Sequence, residues 1–296
     1  MSRKGVFVRK FPALVGCLVV SLLLFTTSLT WKPDPVNKHV ARQKCDAKLE
    51  IGEMCPAFYT ELGGKCELQG TVFDCPDIRN TANNTMRQAQ LVMVRMLRIF
   101  QLIAAKHNIR YWLSSGTLIG AARHKGFIPW DHDVDIEMPM QDYVKFYTIG
   151  SKELPNDIFF QNSNTDIHFL AWVDSAVDQP ITHPKIGPYR SPLNARLRDK
   201  SSCYGYCLLY GCKWHDGLMI DLFVTERETK DVFPLKEMEF EGFTFPVPKN
   251  WKEILQQDYN EDVMNIPSEQ SARKPYILPH PMTTCQKLAD DGVRFD

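Results

Sequence analysis

The 296-residue chain has no net charge, because 35 lysines and arginines balance 35 aspartates and glutamates. Without a global positive field there is no electrostatic case for a nucleic-acid partner. Its nine cysteines include no closely spaced C-x2-C pair, the arrangement common in structural zinc sites. Long uncharged runs are scarce as well. Length alone allows one or two domains with ample core.

One long uncharged run does occur, at the amino end. Arg3, Lys4, Arg9 and Lys10 precede Phe11–Thr30, whose apolar centre is Leu14–Phe25. Twenty helical residues span about 30 Å, enough for a hydrocarbon core. The basic flank predicts a cytosolic tail over 1–10, a transmembrane signal anchor over 11–30 and a lumenal remainder. A cleaved signal peptide is the competing reading. Residues 31–44, with Pro33 and Pro35, read as a stem. Cys17 falls in the anchor, which leaves an even set of eight: Cys45, Cys55, Cys66, Cys75, Cys203, Cys207, Cys212 and Cys285. In a secretory chain such a set reads as disulfides. The segment 45–80 would then be a small stapled unit. Cys203, Cys207, Cys212 and His215 match no common zinc spacing, so disulfides are expected there too, with Cys285 as a distant partner. Asn83 opens an Asn-Asn-Thr sequon usable only in the lumen. The chain is therefore expected in the Golgi or ER membrane, single-pass type II, with the membrane as a partner through its first helix.

The most informative stretch is Tyr111–Met138. Helical periodicity over Met86–His107, with Arg87, Arg95, Arg98 and Lys106 on a solvated face, leads into a strand at Ile109–Leu113. A turn at Ser114–Thr117 and a short helix over Thr117–Arg123 follow. Arg123, His124 and Lys125 form a cationic cluster. After Pro129-Trp130 a second strand carries Asp133 and Asp135 on one face, their Cα atoms roughly 6.6 Å apart. Asp131 has the same parity and is a helper candidate. Two adjacent anions on an apolar strand repel each other and resist desolvation. A bound Mg²⁺ or Mn²⁺ removes both penalties. Further along, GLMIDLFV (217–224) reads as a buried strand with one expensive charge, Asp221. Met140–Thr148 looks helical, and 159–160 and 169–173 look like strands. Residues 177–191 are loop-rich. Over 194–199, Arg196 and Arg198 share a face, either solvated on an edge strand or meeting a diphosphate.

The string GTLIGAARHKGFIPWDHDVDI resembles the LicD family, which holds bacterial phosphocholine transferases and animal fukutin and fukutin-related proteins on a nucleotidyltransferase fold. Phe240–Asn260 also resembles the family's carboxyl-terminal segment, with Tyr259-Asn260 where Tyr-Gly is common and Asn260 able to take left-handed backbone. The resemblance implies an α/β domain over 86–267, a mixed β-sheet flanked by helices, followed by a polar tail over 268–296. It implies that Asp133, Asp135 and Asp221 bind metal and serve catalysis. Ser115, Gly116, Thr117, Gly120, Arg123 and His124 would hold a nucleotide donor. Because a fukutin-related zinc loop falls near Cys45–Cys75, zinc is possible there but not predicted. The implied activity is transfer of phosphocholine or a phospho-alditol from a CDP-linked donor to a glycan or glycoprotein. Two rivals are a metal-dependent glycosyltransferase using the same D-x-D and a catalytically silent lumenal binding protein.

Overall fold

The computed structural model describes residues 57–166, 169, 181–185, 187–189, 193–205, 207, 212–225, 229–265 and 279–293. The expected anchor, stem, Cys45 and Cys55 lie outside them, as do nearly all of the strand expected over 169–173 and much of the 177–191 loop. Among the described residues, no helix is long and apolar enough to cross a membrane.

A hairpin of β1 (Glu67–Gln69) and β2 (Val72–Asp74) is closed by the Cys66–Cys75 disulfide. Helix α1 (Thr85–Lys106) follows. Asn84 caps it by accepting from the Arg87 amide, which leaves sequon residue Asn83 exposed just ahead of the cap. After α1, Asn108 takes a left-handed conformation at φ 51° and turns the chain into the sheet.

The sheet is mixed. Its strands are β3 (Trp112–Leu113), β4 (Asp135–Pro139), β5 (Ile158–Gln161), β8 (Leu193–Asp199) and β10 (Met219–Thr225), in the spatial order β3-β4-β10-β8-β5. Strand β10 runs parallel to β4, and the other pairings are antiparallel. Helices α2 (Ser115–His124) and α3 (Met140–Thr148) flank β4 in sequence. The short hairpin β6 (Ile181–His183) and β7 (Gly187–Tyr189) precedes β8. Past the sheet come α4 (Thr229–Val232), the hairpin β11 (Lys236–Phe240) and β12 (Phe243–Val247), then α5 (Trp251–Asp258). Strand β9 (Cys203–Tyr204) pairs with β13 (Pro279–His280), and α6 (Cys285–Asp290) ends the described chain.

Alternation gives the sheet two unlike faces. Leu113, Ile136, Met138, Leu197, Ile220 and Leu222 point one way and are fully buried with Met93, Leu97 and Phe100 of α1. Each such side chain contributes about 1.5–3 kcal/mol through burial. The other face carries Glu137, Asp135, Asp221, Arg196 and Gln161, which are register neighbours or lie two residues apart. One layer of the sheet is therefore core and the other is available for chemistry.

Two expectations about arginine need correcting. The α1 arginines are not a solvated face. Arg95 donates to the Cys75 carbonyl and Asp157, and Arg98 donates to the Cys66 carbonyl, so both clamp the β1–β2 hairpin. Arg87 is 1% exposed. Nor is β8 an edge strand. It lies between β10 and β5, Arg196 is engaged with Asp221, and Arg198 is buried against Gln161 and the Gly217 carbonyl. These contacts join residues far apart in sequence, which is why local patterning misses them. Asn260 also departs from expectation, with extended rather than left-handed backbone.

Arg87 meets Glu241, which sits with Gly242 in the tip of the β11–β12 hairpin. Both tip residues have positive φ, 56° and 82°, as the right-handed strand twist requires in such a turn. Glu241 is fully buried, and its carboxylate accepts from Arg87 Nη1 at 2.8 Å, Arg87 Nη2 at 2.6 Å and the Tyr59 amide at 3.0 Å. One side chain thus joins the hairpin, α1 and the amino-terminal segment. Breaking a buried pair from one side strands the other charge, so Glu241→Ala should cost about 3–5 kcal/mol in urea unfolding. A loss below about 1 kcal/mol would show that the clamp is dispensable.

Candidate active site

The polar face converges on β4 and β10. Asp135 and Asp221 are register partners on these parallel strands. Backbone bonds set them at one height: the Asp221 amide donates to the Val134 carbonyl at 2.7 Å, and Ser114 donates to the Asp135 carbonyl at 3.1 Å. The Asp135 amide donates to Thr117 Oγ1 at 2.9 Å. Thr117 is 1% exposed, so its hydroxyl serves to place Asp135. Asp133 lies just before β4 rather than on it, but the alternation persists through buried Val134. Asp131 belongs to the preceding turn. A ligand atom from each of Asp131, His132 and Asp133 fits within 4.8 Å.

The electrostatics follow from this crowding. Burial pushes the Asp135 carboxyl well above its usual range, and the charges of Asp133, Asp221 and Asp131 push it further. Asp131 is raised in the same way by burial and by Asp133. Asp133 is raised by burial and Asp221, against the opposing influence of His132 and Arg196. Asp131 Oδ2 is buried without a hydrogen-bond donor. Among the described residues, Asp221 is the one of the four that pairs with an arginine or lysine, Arg196 Nε at 2.6 Å. That guanidinium, which sequence reasoning did not pair with it, offsets part of the cost expected to fall to a metal.

Helix α2 begins against this cluster. Ser114 makes no side-chain cap, and Ser115 opens the helix at φ 47°. The first amides of a helix lack partners within it and attract anions. A Cβ on Gly116 would come within 2.9 Å of Asp131 Oδ2, so glycine is what lets the carboxylate reach the helix start. Gly120 has a different task from the one expected. A Cβ there would strike the Gly126 carbonyl oxygen, so it admits the 126–128 loop rather than a phosphate. Arg123 Nη1 is committed to the Val263 and Asn265 carbonyls. His124 is held neutral, its pKa lowered to about 4 by burial and by Arg123. The structure therefore brings Ser115, Gly116 and the start of α2 to the acids; Gly120 and His124 are buried in packing, while Arg123, bonded to carbonyls through Nη1, still acts on Asp131 by its charge.

Two tyrosines were not foreseen as part of the site. Burial raises the Tyr204 hydroxyl pKa, and the nearby charges of Asp133 and Asp221 add to it; its ring lies 5.5 Å from that of His132. Tyr259 is pushed up to about 12 by burial and then by Asp135, against a hydrogen bond with Ser115. Tyr204 has no local sequence signal, and Tyr259 is marked only by its place in the family-like segment, because each arrives at the acids from a distant segment. Tyr204 is held by pairing with Pro279 and by the adjoining Cys203–Cys285 disulfide. The sulfurs of Cys203, Cys207, Cys212 and Cys285 lie within 4.8 Å, paired as Cys203–Cys285 and Cys207–Cys212.

Residues 108–250 match the LicD/FKTN/FKRP nucleotidyltransferase domain. Through this segment, just under half of its length, the chain is similar to the LicD family. Among LicD-family relatives, the lipopolysaccharide cholinephosphotransferase LicD of Haemophilus influenzae is 45% identical over 69 residues, covering 23% of this chain and 26% of the relative. The human ribitol 5-phosphate transferase FKRP is 26% identical over 166 residues, covering 54% of this chain and 29% of the relative. The matched region is thus little more than a quarter of either relative's length. The acid row and the α2 start both fall within the LicD segment.

The raised carboxyl values set a pH expectation. A group whose folded pKa lies above its unfolded value stabilises the fold while protonated, and that contribution is lost as pH rises through the folded value. Metal-free protein should therefore lose stability relative to Asp135→Asn between mildly acidic and neutral pH. At neutral pH the variant should melt on the order of 3 °C higher, equivalent to ~1 kcal/mol in a domain of this size. Mn²⁺ should raise the wild-type Tm and leave the variant much less affected. If wild type and variant keep parallel melting profiles across pH, with and without the ion, the repulsion is not there.

Proposed function

We propose that this chain transfers a phospho-substituent, either phosphocholine or a phospho-alditol such as ribitol phosphate, from a CDP-linked donor to a glycan acceptor. The observation that carries the reading is the row of Asp131, Asp133, Asp135 and Asp221, short of positive charge and set against the first turn of α2. The likeness to the LicD domain and the activities for which the two relatives are named support the same chemistry.

Asp133, Asp135 and Asp221 would hold Mg²⁺ or Mn²⁺, and the fit is supported by all-oxygen ligands and by the raised carboxyl pKa values of the first two. When bound, the ion supplies charge neutralisation on the departing nucleotide and a template for in-line attack. The α2 amides at Ser115 and Gly116 offer donors to a phosphate oxygen. Arg196 holds Asp221 by one carboxylate oxygen, which leaves the other to bind the ion or to take the acceptor hydroxyl proton. Thr117 keeps Asp135 fixed at its backbone, so the row is ordered before donor arrives. In the proposed setting, the domain faces the Golgi or ER lumen and Asn83 is glycosylated.

Calorimetric titration of the purified chain with CDP-choline, CDP-ribitol, CDP and UDP-sugars, with and without Mn²⁺, tests the reading. A CDP-alcohol should bind only with the ion, and Asp133→Asn should weaken it at least about a hundredfold, as expected on losing a charged metal ligand. Selective binding of a UDP-sugar would instead favour glycosyl transfer. Failure of a folded protein to bind any nucleotide would favour a silent binding protein.

A further inference from the structure

We propose that the exposed indole of Trp214 is a stacking platform for a sugar ring of the acceptor, on the same sheet face as the carboxylate row. This rests on the glycan-acceptor reading above and adds where the acceptor lies.

The argument starts from register. Asp221 pairs with Arg196, and Arg196 pairs with Gln161 across β8 and β5. Phe159 pairs with Arg198, two residues along from that row, so it points to the same face. Its neighbour Phe160 points the other way, edge-on to the rings of Phe146 and Tyr147 in α3. From the strand spacings, the Cα atoms of Asp221 and Phe159 lie roughly 12 Å apart, across two strands and two residues.

Phe159 supports Trp214, their ring centroids 4.9 Å apart, and stacks on His215 at 5.1 Å and 23°. Trp214 is thus backed from below, yet 51% exposed. Aromatic residues this large normally bury most of their surface. The rim around it is polar. Lys200 Nζ lies 5.8 Å from the ring centroid, Lys213 Nζ binds Asp166 at 3.1 Å, and Asp166 accepts from Gln161, the residue paired with Arg196. A polar track therefore leads from the indole to Asp221.

A flat aromatic face with a rim of donors and acceptors suits a pyranose. The ring's C–H face covers the indole, and its hydroxyls meet the rim. One supported indole offers too little apolar area to hold a protein or lipid surface. A nucleobase could stack equally well, so the test must tell donor from acceptor.

Wild type, Trp214→Ala and Trp214→Phe would be applied to immobilised oligosaccharides ending in mannose, galactose or N-acetylglucosamine. Each would also be titrated with CDP-ribitol and CDP-choline in Mn²⁺. Trp214→Ala should weaken glycan capture about tenfold, Trp214→Phe should restore most of it, and donor Kd should not change. Unchanged glycan capture by Trp214→Ala overturns the platform. So does a weakened donor Kd in its place, or a wild type that binds donor but no glycan. If donor binding is absent while Trp214-dependent glycan capture persists, the phosphotransfer reading fails and the platform stands.

Discussion

Repulsion among four carboxylates is the constraint that the rest of this fold must withstand. Asp131, Asp133, Asp135 and Asp221 would separate if their backbones could move, since each raises the cost of ionising another. They cannot move far. Asp135 and Asp221 sit on adjacent parallel strands whose opposite face is the core, and a one-residue slip would put Ile136 and Leu222 into water. Hydrophobic burial on one side of the sheet holds unfavourable charge in place on the other.

The hairpin clamp belongs to the same scheme. Glu241 fixes Arg87 and thereby the end of α1 nearest the β11–β12 hairpin, while Gln90 on the next turn donates to the Asp131 carbonyl at 3.1 Å. Helix α1 therefore supports the Asp131 turn as well as the sheet. A buried ion pair contributes little net stability over an apolar replacement, but it tolerates only one geometry. Here that geometry lies upstream of the acid row.

Much of this was legible in the sequence where periodicity is local. Helix α3 falls over the expected residues, and α1 and β10 fall within one or two. Parity aligned Asp133 with Asp135, although β4 begins only at Asp135 and Asp131 lies in the preceding turn, and the long apolar run around Asp221 marked a buried strand. What sequence could not supply were partners arriving from elsewhere. Arg196, Tyr204 and Glu241 carry no motif, Tyr259 stands out only by its place in a family-like segment, and each meets the acid row or its ion-pair partner at least 17 positions away. The Arg123–His124 cluster was misleading for the opposite reason. Its spacing suggested free cations, whereas burial removes the charge from one and backbone carbonyls occupy the other.

That distribution of cations bears on how an anionic donor could be held. Arg123 is bonded to carbonyls, Lys125 pairs with Glu239, Arg196 with Asp221, and Arg198 with Gln161 and Gly217. Among the described residues these cations are already engaged, Arg196 with one of the acids itself, so the α2 amides are donors with no partner inside the helix, and amides carry only partial charge. A diphosphate brought toward four carboxylates on those terms would be repelled. Donor affinity and divalent-ion affinity should therefore be one coupled quantity, since each ligand relieves the charge that opposes the other. On the proposed reading, the same coupling would guard against wasteful chemistry, because the row would accept an anion only together with the cation that neutralises its departing charge.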